Sequence, residues 1–439
     1  MRVQTFKGGI HPNYNKSRSE KAAIECVAAP KEIIIPLSQH IGAPAKACVE
    51  KGDMVQKGQV IGEAGGFVSA PVHSSVSGQV TAVEPRPGAL GVDVLCVVIA
   101  NNEQNEMAPL KGLENWKTAD KETLKNMISE AGIVGMGGAT FPTHVKLSPP
   151  AAKPIDTVIL NGAECEPYLT ADHRVMVEYA EDVVEGLQII RKILGAQNGY
   201  IGIEVNKPDA IAAMETACKG TDIKVARLEI KYPQGGEKQL IEALLKKEVP
   251  SGGLPMDVGV VVQNVGTAKA VYDAVTKGIP LFERVVTVTG SAVPKPGNFM
   301  ISIGTPVSVV LAHCGVDLDT AGKLILGGPM MGFAQYSAAP PVTKGTSGIL
   351  VFDAKDVTLV PPVACIRCGR CLHACPMRLV PAEIAAFSEC RMYDKAEEFD
   401  AMDCMECGSC AHECPSQIPL VQKIRLAKQE IMAARRKKG

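Results

Sequence analysis

The sequence predicts a multidomain α/β protein, and three observations carry that expectation. Short β-rich segments punctuated by Gly and Pro fill residues 31–98, strands and helices alternate over residues 155–277, and nine of the fifteen cysteines crowd between Cys365 and Cys414, eight of them in a repeated motif. A chain of 439 residues has room for roughly two to four domains, each with its own core. Changes of pattern place the boundaries at 1–105, 106–282, 283–350 and 351–439.

The first part contains IIIPL, VEKGDMVQKGQVIGE and SGQVTAVE, which read as an all-β module. Its phrase G-D-M-V-Q-K-G-Q-V, followed by S-A-P-V-H-S-S-V-S-G-Q-V, resembles the biotinyl/lipoyl carrier fold, a β barrel-sandwich whose hairpin tip bears a modified lysine. Here the tip reads Gly65-Gly66-Phe67-Val68 and offers no lysine. The expectation is a docking module, not a group carrier.

After a polar linker at residues 101–106 the period changes. Strand-like runs at 155–160, 200–205, 223–230 and 258–263 alternate with helical spacing at 172–194, 208–219, 237–247 and 267–277. That alternation implies a Rossmann-like parallel sheet wrapped in helices. Residues 284–315 read as two strands and a short helix, a small α+β unit, and residues 336–348 connect it to the cysteine-rich end.

Composition removes several function classes. The 46 Lys plus Arg balance 47 Asp plus Glu, so bulk charge gives no ground for nucleic acid. The longest apolar runs, such as 258–262 and 307–312, fall far short of the roughly 18 to 20 residues that span a bilayer. The opening MRVQTFKGGIHP lacks the features of a secretory signal, so a cytoplasmic chain is expected. In such a chain an odd number of cysteines fits metal ligation and buried thiols better than disulfides. The seven scattered ones (Cys26, Cys48, Cys96, Cys165, Cys218, Cys314 and Cys390) are read as small buried hydrophobes.

The other eight form the most specific signal in the chain. Cys365-x2-Cys368-x2-Cys371-x3-Cys375-Pro376 recurs as Cys404-x2-Cys407-x2-Cys410-x3-Cys414-Pro415. Two-residue gaps let a tight loop aim three thiolates at one [4Fe-4S] cubane, while the fourth cysteine, beside proline, ligates the other cluster. Cluster one is therefore expected on Cys365, Cys368, Cys371 and Cys414, and cluster two on Cys404, Cys407, Cys410 and Cys375. Paired zinc sites also use C-x2-C, but they do not call for the third and fourth cysteines with trailing prolines. His373 and His412 sit inside the motifs and are read as surface or supporting residues, since no thiolate is missing.

A second feature is Gly135-Met136-Gly137-Gly138-Ala139-Thr140-Phe141-Pro142-Thr143-His144-Val145-Lys146. Three glycines let backbone N–H groups approach an anionic ligand, and Lys146 adds positive charge. Alone such a loop is weak evidence. Its context is stronger: the strand at 155–160 runs into Asn161-Gly162-Ala163-Glu164-Cys165-Glu166-Pro167, and the strand at 258–263 into Asn264-Val265-Gly266-Thr267. Open α/β sheets bind ligands at such strand ends.

Together with Tyr232-Pro233-Gln234-Gly235-Gly236-Glu237, these segments resemble the successive FMN- and NADH-binding motifs of the flavin subunit of respiratory complex I, over residues 127–333. Met136 and Thr140 stand where that family has Arg and Gly, and the two-cluster motif replaces its single-cluster end. Both departures, the opening Phe6-Lys7-Gly8-Gly9-Ile10-His11-Pro12 and the carrier-like barrel resemble the C subunits of Rnf-type ion-pumping NAD:ferredoxin oxidoreductases, so the likeness spans almost the whole chain.

The resemblance implies that Gly135, Gly137, Gly138, Lys146, Asn161 and Asn264 hold FMN. Tyr232, Gly236, Glu237 and Thr267 belong to the same binding motifs, and Glu164 and Glu166 face the nicotinamide nucleotide. Carboxylates there would accept ribose hydroxyls and repel a 2′-phosphate, favouring NADH over NADPH. It also implies that the small unit is a β-grasp domain of SLBB type and the end a helical ferredoxin-type domain. The expected partners are ferredoxin-like and integral membrane subunits, met peripherally at the cytoplasmic face of the inner membrane. Hydride passes to FMN and electrons leave singly through the clusters, reversibly in principle, with no side-chain acid or base required. Two other classes share features: corrinoid reductases of the propanediol-utilisation type, which the N-terminal motif and full barrel disfavour, and a non-catalytic electron scaffold, which the intact glycine loop and both asparagines disfavour. The C-terminal segment aligns Leu420, Ile424, Ala427 and Ile431 on one helical stripe that closes on Arg435, Arg436, Lys437 and Lys438, a candidate attachment to an anionic surface.

Overall fold

A computed structural model describes residues 3–358 and 360–438. In the first domain Glu32–Pro36, Asp93–Asn101, Gly78–Pro87 and Met54–Val55 pair antiparallel in that order, facing a smaller sheet of Lys46–Ala47, Val60–Glu63 and Val72–His73. Alternation explains the packing: Ile33 and Ile35 turn inward beside Ile61, Val72, Val97 and Ile99 while Glu32 faces water. Residues 3–30 lie outside this barrel. Gln4 bridges Leu228, Ile10 bridges Tyr232, and Ile24–Cys26 joins the edge of the third domain's sheet.

The second domain is a four-stranded parallel sheet in the order Lys224–Leu228, Asn198–Glu204, Thr157–Gly162, Val260–Asn264. Its strands read as continuous apolar runs because both faces are covered. Val183, Leu187 and Ile190 of the helix Ala180–Leu194 belong to the core on one side, and Leu240 and Ile241 of Glu237–Leu245 to that on the other. The expected helix over 172–194 is two helices, Ala171–Glu178 and Ala180–Leu194. The chain bends at Tyr179 (φ −128°, ψ 36°), whose ring lies 4.6 Å beneath the Lys269 ammonium, a contact no local pattern records.

The third domain extends the two expected strands and helix into a six-stranded sheet: Ile24–Cys26, Gly297–Ser302, Glu283–Thr289, Gly348–Asp353, Ala321–Leu326 and Phe333–Gln335, in spatial order. Its helix Val307–His313 packs Val310 and Leu311 against Val286, Ile301 and Ile349. The fourth domain is helical. Pro381–Glu389, Tyr393–Glu398 and the long Leu420–Lys438 meet around Ile384, Ala396, Ile424, Ala427 and Ile431, so the C-terminal apolar stripe is core. No helix among the described residues is long and apolar enough to cross a membrane.

Candidate functional site

The glycine loop is an excursion between Val134 and Pro142, which bridge each other, and the Gly135 amide donates to the Phe141 carbonyl at 2.9 Å to close its neck. Gly138 has φ +116°, and a β-carbon there would meet nothing within 4 Å, so the loop's crest faces open space. Thr140 is also left-handed, at φ +49°, a rare state for a β-branched residue. The Thr267 hydroxyl accepts the Met136 amide at 2.9 Å, and Asn264 caps the helix Val265–Tyr272 by accepting from Gly266 and Thr267. The Asn264 amide donates to Asp172 at 2.6 Å. Asn264 and Thr267 thus build the loop's floor.

The N-G-A-E-C-E-P turn is held from below by two lysines with almost no exposure. Lys16 donates to the carbonyls of Glu164 (2.8 Å) and Glu166 (2.9 Å), and Lys207 donates to that of Ala163 (2.7 Å). Asn161 accepts the Ala163 amide and donates to the Gly235 carbonyl at 2.8 Å, joining this turn to the Y-P-Q-G-G segment. Desolvation lowers the Lys16 pKa, with the Glu164 carboxylate opposing it.

Glu164 and Glu166 have partners that no local pattern announces. The Glu164 carboxylate accepts the amides of Asp172 (2.7 Å) and His173 (3.2 Å) at the start of the helix Ala171–Glu178. The Glu166 carboxylate accepts the amides of Met330 (3.1 Å) and Met331 (2.9 Å). Both carboxylates are thus engaged by backbone donors of the chain itself. Burial pushes Glu166 up to about 7 despite those donors. It also raises Asp172, with the Glu164 carboxylate adding to the effect.

Lys146 and Glu237 pair at 2.7 Å, and Lys146 also donates to the Val262 carbonyl at 2.6 Å. Gly236 lies against the second cysteine motif, since a β-carbon there would come within 2.9 Å of Met405. Several polar atoms around these segments are buried with no protein partner: both amide atoms of Gln234, Nε2 of Gln263 and Oγ1 of Thr143. Burying such groups unpaired is costly. The lysine-free barrel tip lies beside the same place, the Phe67 carbonyl 3.3 Å from His144 Nε2.

A void in the fourth domain is lined by Cys375, Cys404, Cys407 and Cys410, with Pro376, Met405, Val421 and Ile424. The spacing rule groups these same four thiols across the two motifs. The motifs repeat in detail: Arg367 and Glu406 have φ +54° and +59°, and their amides each point at the sulfur of Cys365 or Cys404 at 3.4 Å. The other set is more open. Cys365 and Cys368 are exposed, Cys371 is half-buried and Cys414 buried, and the Val363 amide donates to Ser416 beside Pro415. Arg425 and Lys428 of the last helix hold the Glu406 carboxylate at 2.8 and 2.7 Å, placing two cations beside the buried set. His373 and His412 are not buried.

Sequence reasoning passed over Lys16, Gln234, Gln263, Asp172 and Met405. Gln234 and Met405 lay inside quoted motifs, whereas nothing near Lys16 announces its partners. Of the scattered cysteines, Cys26, Cys48 and Cys390 are exposed, against expectation; Cys96, Cys165, Cys218 and Cys314 are buried. Cys165 also accepts the Gly235 amide at 3.2 Å.

Comparison with known families follows the same division. Residues 4–104 match the RnfC barrel sandwich hybrid domain, 128–273 the Nuo51 FMN-binding domain, 285–334 the SLBB domain and 359–415 the 4Fe-4S dicluster domain. Over 99% of its length the chain is 51% identical to the C subunit of the Na(+)-translocating ferredoxin:NAD(+) oxidoreductase complex of Acetobacterium woodii, covering 98% of that protein. It is 49% identical to the proton-translocating counterpart of Clostridium ljungdahlii over 98% of the chain and 95% of that protein. Among solved structures, an NAD+-reducing [NiFe]-hydrogenase in its H2-reduced state shares the fold, with TM-score 0.51 and 19% identity over 74% of this chain and 68% of that one.

Proposed function

The chain belongs to the family of C subunits of ion-translocating ferredoxin:NAD(+) oxidoreductase complexes, and from that premise we propose that it oxidises NADH at bound FMN and sends single electrons through two [4Fe-4S] clusters to its partner subunits. The observation that carries this reading is one of position: the four-cysteine void adjoins the Y-P-Q-G-G turn, with the Tyr232 hydroxyl donating to the Cys407 carbonyl at 2.7 Å.

Bound FMN supplies the conversion between a hydride, which carries two electrons, and the one-electron steps a cubane accepts; each NADH leaves as NAD+ with two electrons delivered. The chain's residues position and exclude water. Gly135, Gly137 and Gly138 would bring backbone amides close to the cofactor, and Lys146, oriented by Glu237 and Val262, would supply positive charge for its phosphate. Asn161 would border the bound group from the Y-P-Q-G-G side, and Asn264 and Thr267 stiffen the loop beneath. Tyr232 and Gly236 lie between this site and the buried cluster. Glu164 and Glu166 frame the turn.

Cluster two takes Cys375, Cys404, Cys407 and Cys410, and cluster one Cys365, Cys368, Cys371 and Cys414. Their unequal exposure supports an order of transfer, from the buried set to the open one, where exposed Val363 and Ile366 surround the exit. The partners there are ferredoxin-like and integral membrane subunits, met at the cytoplasmic face of the membrane. The test is the cofactor content of anaerobically purified protein: FMN in an acid extract, and about eight iron and eight acid-labile sulfides per chain. Zinc in place of iron, with no flavin, would overturn the reading.

A further inference from the structure

The motif Phe6-Lys7-Gly8-Gly9-Ile10-His11 is absorbed by neither the barrel nor the flavin site. It runs through the seam between the parallel-sheet domain and the cysteine domain and touches both. On one side, Ile10 and Tyr232 exchange backbone hydrogen bonds of 2.8 and 2.9 Å, His11 Nδ1 donates to the Ile230 carbonyl at 2.9 Å, and Lys231 donates to the Phe6 carbonyl at 3.0 Å, its ammonium 4.7 Å from the Phe6 ring. On the other side, the Gly9 amide donates to the Ala374 carbonyl at 3.1 Å.

The two glycines make the double contact sterically possible. Gly8 has φ +81°, and a β-carbon there would sit 2.7 Å from the carbonyl oxygen of Cys375; Gly9 has φ +80°, and its β-carbon would sit 2.6 Å from that of Tyr232. Ile10 is packed among Cys165, Tyr232, Ala374 and Cys407. The segment therefore bears on the backbone beside one proposed ligand of cluster two, Cys375. It reaches a second, Cys407, through Tyr232 and its hydroxyl.

We propose that residues 6–11 are a positioning clamp that fixes the seating of cluster two against the flavin site and so sets the rate of the single-electron step between them. The clamp rests on the flavin-and-cluster reading above. It transfers no atoms. One electron leaves the reduced flavin for the cluster, and the peptide's part is to keep donor and acceptor at close, constant separation, because electron tunnelling weakens steeply with distance.

The test is rapid mixing of the full chain, with FMN and both clusters bound, with NADH under anaerobic conditions, comparing wild type with Gly8→Ala. Flavin bleaching should keep its rate, and the later bleaching of the cluster absorbance should slow several-fold, because the electron must tunnel across a wider gap. Iron content and cluster potentials should stay as in wild type. Amide exchange at Gly9 and Ile10 should quicken, a readout independent of turnover. Gly52→Ala is the control: Gly52 has φ +105° with nothing within 4 Å of an added β-carbon, so it imposes comparable backbone strain without the contact and should leave both phases unchanged.

If Gly8→Ala fails to assemble, Lys231→Met, which frees the Phe6 carbonyl without adding bulk at Gly8, decides the matter in the same way. Wild-type kinetics and exchange in a folded, iron-replete variant would overturn the clamp. A wild type whose flavin NADH does not bleach would instead sink the functional reading. The clamp would then stand or fall on the same comparison started by photoreduction of the flavin.

Discussion

The phenol of Tyr232 donates a 2.7 Å hydrogen bond to the backbone carbonyl of Cys407, and the tyrosine is fully buried. A residue of the parallel-sheet domain thus satisfies a carbonyl inside the second cysteine motif. Tyr232→Phe leaves that carbonyl buried without its donor, which costs about 1 to 3 kcal/mol. Denaturant unfolding under anaerobic conditions should show a lowered midpoint, with the cysteine domain loosening first in hydrogen exchange. An unchanged midpoint and unchanged exchange would mean that the bond contributes nothing to domain docking.

Cys375 lies in the first motif by sequence and in the second motif's void by structure. Cys375→Ser is therefore expected to change the EPR signal of the cluster whose other ligands begin at Cys404, and to leave the Cys365 cluster nearly intact. The opposite pattern would refute the crossed assignment.

That crossing was legible because the two motifs carry a spacing rule that needs no tertiary information, and the order of the four domains was legible from changes of period. What escaped depended on distant partners. Lys16 meets the Glu164 carbonyl across 148 residues, and the Tyr179 ring at the helix bend lies beneath Lys269. The inward turn of Glu164 and Glu166 escaped for the same reason. The amides of Asp172 and Met330 that these carboxylates accept lie beyond any local pattern.

Glu166 gives a pH signature. Its carboxyl, ordinarily near 4.5, is raised to about 7 by burial. Between those values the folded chain retains a proton that the unfolded chain has released, so this group's contribution makes stability fall as pH rises through the window and level off above it. The full effect is about 3 kcal/mol at most. Glu166→Gln has no such titration, so wild-type stability relative to the variant should decline as pH rises from about 4.5 to about 7 and then flatten. A difference independent of pH would contradict the assigned burial.

The last helix separates its two roles. Leu420, Ile424, Ala427 and Ile431 are core, and Arg435 pairs with Glu397, which leaves exposed Arg436 and Lys437 as the clearer candidates for an anionic surface. Deleting residues 434–439 should weaken but not abolish retention on washed membranes, since each cation near such a surface is worth about 1 kcal/mol. Raised salt should reproduce part of the loss. Complete retention of the truncated chain at every ionic strength would assign attachment to the barrel or the open cluster face.

In the proposed function, a bound flavin takes electrons from NADH and passes them to the clusters. Its most direct test is the absorbance of the anaerobically purified chain, followed in time after one equivalent of NADH is added. The flavin band should bleach first and then recover, as the broad iron–sulfur absorbance falls by the equivalent of two electrons, one per cluster. An unbleached flavin, or cluster bleaching with no flavin phase before it, would contradict the account.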